Sequence, residues 1–398
     1  MNTQRASADE LKQKLLNVTR GLRDGTGSPI MSTRKPCGNC TNKGLDLSKY
    51  KRLVLTNYQS PGDILMMTAA VRDLHHAHTD RFEVDVRTSA GQLWDNNPYI
   101  KRFPEPWIEE AAQQARDARP ALPIVREDIA IIPCDYPLVH KSNQRDGHFI
   151  SSFHDSIGRA LGIKIPVSAF KPDLHMAENE KLWMSQVAEM GAHEPFWLIV
   201  SGGKWDATAK WPNPITLQMV VDHFGKNLQF VQSGDIGNWH PQLSGVIDLV
   251  GQTDLRMLIR LIWHAKGLIT PVTCLMHLAA ALDKPCVVIA GGREPTHWEA
   301  YPTHRYLSTQ GALTCCNPGA CWKSRCTPVG DGDGKDSPDS LCPTYREIPA
   351  PLSPHANRKL ETLRIPKCID MISAHDIIRA IESYHEGGVC EYLGATKP

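Results

Sequence analysis

The stretch "RLVLTNYQSPGDILMMTAAVRDLHHAH" occupies residues 52–78. Leu53, Val54 and Leu55 form an apolar run of strand composition. Ser60-Pro61-Gly62 is turn chemistry, because proline fixes φ and glycine permits unusual φ. From Ile64 the apolar positions take helical spacing: Ile64, Leu65, Thr68, Val71 and Leu74. Strand, turn and helix in that order make the chain α/β. They also place Asp63 where the strand's carboxyl end meets the helix's amino end. Asp63 reads two ways there. It is an N-cap, accepting from free backbone N–H groups. Or it is a reactive carboxylate, since open α/β sheets bind ligands outside the carboxyl ends of their strands.

Working outward, "RFEVDVRT" (81–88) and "IAIIPC" (129–134) read as strands, the second continuously apolar as buried parallel strands are. "HFISSFHDSIGRALGI" (148–163) reads as a helix. Residues 51–190 are therefore expected to form a Rossmann-like N-terminal acceptor domain, with a helix inside 171–191 leading onward. A second series follows. Strands are expected at 196–203, 228–234, 267–271 and 285–292, and helices at 216–225, 254–265 and 274–283. Residues 191–310 then make a second Rossmann-like domain, for a nucleotide-sugar in the reading below. The fold expected is two doubly wound domains facing a cleft, and the cleft is the default site. Residues 311–370 lose periodicity and are rich in Cys, Pro, Gly and Asp. A structureless stretch of that length needs a functional or stabilising reason. "SAHDIIRAIESYHEGG" (373–388), capped by Ser373, puts a helix in the closing segment 371–398.

The bulk numbers exclude several classes. The chain has 398 residues, 41% apolar and 22% charged, which suits a soluble globular protein. A net charge of +1 gives no basic field for nucleic acid. No apolar run approaches the ~20 residues of a membrane span. Residues 1–50 are a polar leader in which Leu11, Leu15, Leu16, Val18 and Leu22 space as a short amphipathic helix. The leader lacks an apolar signal-type core, so the expected location is cytoplasmic. An acceptor at the inner membrane surface remains open.

Three pieces in order resemble one family: "SPGDILMMTAAVRDL" (60–74), "AKWPNPITLQMVVDHF" (209–224) and "GQTDLRMLIRLIWHAKGLITPVTCLMHLAAALDKPCVVIAGG" (251–292). They are similar to the family-nine glycosyltransferases, the ADP-heptose lipopolysaccharide heptosyltransferases and their relatives, over roughly residues 51–310. The resemblance implies the GT-B fold, with the last helix crossing back to the first domain. It implies an inverting transfer of a sugar, heptose among the candidates, from a nucleotide-activated donor to an acceptor hydroxyl. The family's Gly-Asp falls on Gly62 and Asp63, making Asp63 the general base that takes the acceptor's proton. Its Lys-x-Trp-Pro-like segment falls on Lys210, Trp211 and Pro212, and Lys210 would neutralise the departing diphosphate; otherwise Lys210 is a solvated surface lysine. Ser201, Gly202, Gly203 and Lys204 end the preceding strand, where small residues let backbone N–H groups approach phosphate. "VTCLMH" meets the family's Asp-Thr-Gly-x-x-His: Thr273 and His277 match, while Val272 stands for the Asp and Cys274 for the Gly. His277 is either a ligand or a structural histidine. Gln252 and Thr253, in "GQT", match the segment whose backbone meets the nucleotide base. Asp235 can hold a ribose hydroxyl or be a loop acid. Lysine and helix N-termini suffice for the leaving charge, so no catalytic metal is implied. The acceptor is a lipid-linked glycan, a protein hydroxyl or a small molecule.

Twelve cysteines are many for a cytosolic chain. Cys134, Cys274 and Cys286 sit in apolar surroundings as ordinary buried thiols. Cys37-x-x-Cys40 is a metal half-site or a redox pair. Six more lie between 315 and 368, and in a reducing compartment such a cluster favours metal over disulfides. The cluster resembles the four-cysteine iron finger of the autotransporter heptosyltransferases. The expected ligands are Cys316, Cys321, Cys342 and Cys368, with Cys315 and Cys326 as alternates, around a structural zinc or iron. "DGDGKD" (331–336) lacks the later Glu of a calcium loop and reads as a turn. His75, His76 and His78 only partly share a helix face and read as solvated. Two rivals accompany the transferase: an inactive transferase-like binding protein whose metal-ordered module holds a partner, and a nucleotide-sugar epimerase of the same fold.

Overall fold

The computed structural model describes residues 46–118, 122–134, 147–192, 195–317 and 319–386. Residues 1–45, which hold most of the polar leader with Cys37 and Cys40, and Cys390 lie outside the described residues.

Strand β1 (Arg52–Asn57) and helix α1 (Pro61–Ala77) flank the Ser60 turn as the opening stretch predicts. β1 pairs in parallel with β2 (Glu83–Thr88) and β4 (Ile129–Pro133), and the short β3 (Ile124–Arg126) adds antiparallel to β4. The sheet order is β2-β1-β4-β3. α1 buries Ile64, Leu65, Met66, Met67, Ala69, Ala70, Val71 and Leu74, because it packs against α3 (Phe149–Leu161) on one side and α6 (Cys274–Ala281) on another. A buried polar knot fixes it. Asp73 accepts from Arg72 Nε, His154 Nε2 and the Ser168 N–H at 2.8, 2.8 and 3.0 Å. Burial alone would raise the Asp73 carboxyl, but these donors outweigh it and hold the carboxyl well below its usual range.

The second sheet is wholly parallel: β5 (Phe196–Ile199), β6 (Gln229–Gln232), β7 (Ile247–Asp248), β8 (Gly267–Pro271), β9 (Cys286–Gly291) and β10 (Arg305–Ser308). Its order, β7-β6-β5-β8-β9-β10, reverses between β5 and β8. In a doubly wound sheet that reversal opens a crevice at the strands' carboxyl ends. α4 (Pro214–Phe224), α5 (Leu255–His264) and α6 are its connecting helices.

Four expectations change. The segment 171–191 holds only the single turns Glu178–Lys181 and Gln186–Glu189. Glu180 pins it, accepting from Arg256 Nε at 2.6 Å and the Ala177 N–H at 2.7 Å, so tertiary contacts override propensity. A helix α2 (Trp107–Asp117) appears where none was expected. The 311–370 region is not structureless: Tyr345–Pro349 and Thr362–Pro366 pair as an antiparallel hairpin, β11–β12. The last helix, α7 (Ala374–His385), does not cross back. Ile377 and Ile381 pack with Trp197, Leu217 and Ile289, against the second sheet and α4.

Among the described residues, no helix is long and apolar enough to cross a membrane.

Candidate active site

A cavity of about 560 Å³ is walled mainly by the turns that follow β1, β5, β6, β7, β8 and β9, with Phe149, Leu258 and Trp322 completing it. Most of its wall is thus strand carboxyl ends, and the volume suits a small-molecule ligand.

Asp63 lines it from the first sheet. The N-cap of α1 is Ser60, not Asp63; Asp63 stands three positions on, and its carboxylate accepts the Ser60 N–H at 2.9 Å in a capping box. It is also a perturbed acid. Burial raises its pKa to about 6; the Ser60 N–H and the ammoniums of Lys210 and Lys204 oppose the rise, and the charge of Glu294 adds to it. Gly62 beside it has a packing reason. A Cβ there would lie 2.9 Å from His277 Cδ2 and 3.6 Å from Cys274 Cα, so the starts of α1 and α6 nearly touch. His277 is buried, and its Nδ1 hydrogen-bonds Tyr301 Oη at 2.8 Å. It therefore packs at the joint between the two sheets' helices.

The opposite wall carries Lys210, at the end of the Trp205–Lys210 helical turn after β5. Its Nζ lies 2.6 Å from Glu294 Oε1 and donates to the Val272 carbonyl at 3.3 Å. Trp211 stacks on Trp239 at 4.4 Å, anchoring the segment. Thr273 caps α6, its Oγ1 accepting the Leu275 N–H at 3.3 Å and sharing a 2.9 Å hydrogen bond with Thr270. Lys204, Asp235, Thr253 and Cys274 also line the cavity. The Lys204 ammonium has no ion-pair partner among the described residues. The Cys274 thiol is pushed up to about 12 by burial, with Asp235 adding, which leaves it unreactive.

Three sequence assignments move. Ser201 does not face the cavity: its hydroxyl donates to the Pro241 carbonyl at 2.8 Å and accepts from Gln232 at 3.0 Å. Gly203 lines the cavity, but its N–H is committed to the Trp239 carbonyl at 2.8 Å and is not free for phosphate. Gly202 is small for the same reason, since a Cβ would sit 1.8 Å from that carbonyl oxygen. Gln252 does not line the cavity, and its amide donates to the Asp248 carbonyl at 2.8 Å.

The sequence reading missed Arg293, Glu294 and Glu299, which line the same cavity. Their signal was "GGREPTHWE" (291–299) directly after a strand. Glu294 is only 2% exposed and also pairs with Arg293. Burial and the charge of Glu294 push the Glu299 carboxyl up, against the pull of Lys210, so Glu299 stays protonated near neutrality.

The cysteine region packs behind both Lys210 and Glu294. Cys326 N–H donates to Thr208 Oγ1 at 2.9 Å, and Thr208 Oγ1 donates to the Thr327 carbonyl at 2.8 Å. The N–H groups of Cys321 and Trp322 donate to the Arg293 carbonyl at 3.2 and 3.1 Å. A Cβ on Gly292 would lie 2.8 Å from Cys316 Sγ and 3.5 Å from Cys368 Cβ, so these two cysteines meet over the end of β9. Cys342 meets Cys326, whose hydrogen bond holds the Cys342 thiol down to about 7 against burial. The alternate Cys326 thus stands in the cluster beside the expected ligands. All the described cysteines are unbridged. Among the described residues no three His, Cys, Asp or Glu side chains stand as a ready-made metal site. The all-thiol donor set fits zinc or iron chemically. The "DGDGKD" turn closes on a cation of its own chain. Arg325, 0% exposed, donates to Asp331, Asp333 and Asp336 at 2.9–3.0 Å and to the Trp205 carbonyl at 3.1 Å. Of the helix histidines, His75 bonds the Val71 carbonyl at 2.9 Å and His76 bonds Tyr99 Oη at 2.8 Å. His78 bonds the Lys164 carbonyl at 3.0 Å.

Residues 238–317 match the family described as glycosyltransferase family 9 (heptosyltransferase). Over 142 residues the chain is 26% identical to lipopolysaccharide heptosyltransferase 2 of Salmonella typhimurium. That match takes in 33% of this chain and 41% of the relative, so the chain spans under half the length of that curated relative. The family 9 glycosyl transferase of Veillonella parvula shares the fold at a TM-score of 0.50 and 17% identity, over 67% of this chain and 87% of the other. The iron-containing dodecameric glycosyltransferase TibC of enterotoxigenic E. coli matches at 0.54 and 16%, over 86% and 78%. A second TibC structure, with ADP-D-β-D-heptose, matches at 0.53 and 16%, over 92% and 82%. The chain is thus heptosyltransferase-like in sequence, and its fold is GT-B.

Proposed function

We propose that the protein is an inverting glycosyltransferase that moves a sugar from a nucleotide-activated donor to an acceptor hydroxyl. The observation that carries this reading is one cavity with a carboxylate poised near neutrality on one sheet's strand end and a lysine on the other's. Asp63 accepts the proton of the acceptor hydroxyl as that oxygen attacks the anomeric carbon. The bond to the diphosphate breaks, and its electron pair leaves with the phosphate oxygen. Lys210, Lys204 and the Thr273-capped start of α6 receive that charge. Asp235 holds the ribose, and the Thr253 turn meets the base. Because TibC binds ADP-D-β-D-heptose, that compound is the first donor to try. The acceptor is a lipid-linked glycan, a protein hydroxyl or a small molecule. Four thiolates, Cys316, Cys321, Cys342 and Cys368 with Cys326 or Cys315 as alternates, would hold a structural zinc or iron. The metal would cross-link a segment with little apolar content of its own.

A donor panel tests the reading. Purified protein is given ADP-, GDP-, UDP- and dTDP-sugars, and release of nucleoside diphosphate is followed. One donor should be turned over by wild type and not by Asp63→Asn, which should still bind it. Equal turnover by the variant removes Asp63 as base. Nucleotide binding without turnover of any donor, with acceptors supplied, favours the inactive binding protein. The apolar Val272 and the Lys210–Glu294 pair are consistent with that second reading.

A further inference from the structure

Glu294 has no role in the transfer chemistry above, yet it is the most buried carboxylate on the Lys210 wall. Its place is held firmly. Arg293 pairs with it, and Arg293 is itself tied down: Nε donates to the Lys323 carbonyl at 2.6 Å, and the guanidinium lies 5.3 Å over the Trp322 ring. The Arg293 carbonyl takes two N–H groups from the cysteine region. A side chain fixed from both ends and still lining the cavity is built to meet a ligand.

The charge pattern says which part of the ligand. Lys204, Lys210 and Arg293 suit a diphosphate. A buried carboxylate 2.6 Å from Lys210 works against one, because it repels the phosphates and competes for the ammonium. A carboxylate in such a site becomes favourable when the ligand also brings hydrogen-bond donors. A nucleotide-sugar carries donors on its sugar, its ribose and its base; with Asp235 given to the ribose and the Thr253 turn to the base, the sugar hydroxyls are those left for Glu294. The neighbouring Val272 and Cys274 side chains offer no comparable acceptor.

We infer that Glu294 is the specificity-determining residue that accepts hydrogen bonds from hydroxyls of the donor's sugar, and that it holds Lys210 in position until the donor arrives. This rests on the nucleotide-sugar reading above. On binding, the diphosphate takes Lys210, Arg293 keeps Glu294 in place, and the carboxylate turns its free lone pairs to the sugar.

The test is calorimetric titration of the full chain with two probes, ADP-D-β-D-heptose and ADP, for wild type, Glu294→Gln and Glu294→Asp, with melting curves to confirm folding. Wild type should bind the nucleotide-sugar more tightly than ADP. A hydrogen bond to a charged group corresponds to roughly a tenfold to hundredfold change. Glu294→Gln should therefore weaken ADP-D-β-D-heptose by that factor. ADP should bind unchanged or more tightly, because Lys210 is freed. Glu294→Asp, which keeps the charge at shorter reach, should fall between, and it carries the test if the Gln variant does not fold. Equal changes for both probes would overturn the inference and leave Glu294 as a counter-ion alone. If wild type binds neither probe, the pair is replaced by the donor that the panel identifies and its nucleoside diphosphate; if no donor of the panel binds, the nucleotide-sugar reading itself fails and takes this one with it. That failure shows in the wild-type titration, before any variant is compared.

Discussion

Asp63→Asn should make the protein more stable and nearly inactive. Burial lifts the Asp63 carboxyl from 3.8 to about 6. That rise of about two units, at about 1.4 kcal/mol each, is a cost of about 3 kcal/mol for keeping the side chain ionised in the folded state. The cavity is open to solvent, so this is an upper bound. The sign follows from the folded value lying above the unfolded one. The cost is absent below about pH 3.8, grows between 3.8 and 6, and is constant above 6. Asparagine has the same shape and still accepts the Ser60 N–H, so little else changes. For a chain of this size the full cost corresponds to about 4 °C in melting temperature. Asp63→Asn should therefore melt higher than wild type at pH 8, by up to that amount. The gain should shrink to about 1 kcal/mol at pH 4.5, where the native carboxyl is already protonated. Losing the base should lower transfer by about 10²- to 10⁴-fold. Wild-type transfer should rise with pH through about 6 and then level. Paired melting curves and rates across pH read all of this. Unchanged melting at pH 8 together with unchanged transfer would refute both the buried carboxylate and its role.

Gly62→Ala places a methyl 2.9 Å from His277 Cδ2, so the starts of α1 and α6 must separate. The expected loss is about 1–3 kcal/mol in urea unfolding, with weaker donor binding. Arg325→Met leaves Asp331, Asp333 and Asp336 facing one another without their cation. It should cost about 3–5 kcal/mol, and Arg325→Lys should recover only part because it lacks the fork. Limited proteolysis should then cut within 324–342. Purified protein should carry about one zinc or iron per chain by elemental analysis. Chelation under reducing conditions should lower the melting temperature and weaken donor binding, because Cys326 and Thr327 brace Thr208 beside Lys210. A metal-free protein with unaltered melting would contradict the metal assignment.

The elements legible in the sequence were those with strong local signals. β1, α1 and four of the second sheet's parallel strands, β5, β6, β8 and β9, carry apolar runs bounded by turn residues, and their ends fall within a few positions of the expectation, whereas the short edge strands β7 and β10 were not foreseen. What escaped depends on partners far along the chain. α2 is polar, and its buried stripe of Ile108, Ala111, Ala112 and Ala115 is too weak a pattern to register. β11 is mostly exposed, and β12, which does alternate and buries Leu363 and Ile365, is only five residues long and pairs across a long connection, too short a signal in a Pro- and Gly-rich stretch. The strand-end stretch "GGREPTHWE" marks a turn, but Glu294 acquires its meaning only from Lys210, 84 positions away. Gly202 and Gly203 did signal a close backbone approach, but the approaching group is the Trp239 carbonyl of their own chain. Asp63 shows both sides: a carboxylate capping the helix start was readable from Ser60-Pro61-Gly62, whereas its raised pKa comes from walls assembled by turns far apart in the chain.

The most direct measurement is a crystal structure of the protein grown with ADP. The account predicts the diphosphate within hydrogen-bond reach of Lys210 Nζ and the N–H groups that start α6, with Asp63 across the cavity and still open to an acceptor. Nucleotide bound elsewhere, with the Lys210–Glu294 pair intact, would contradict it.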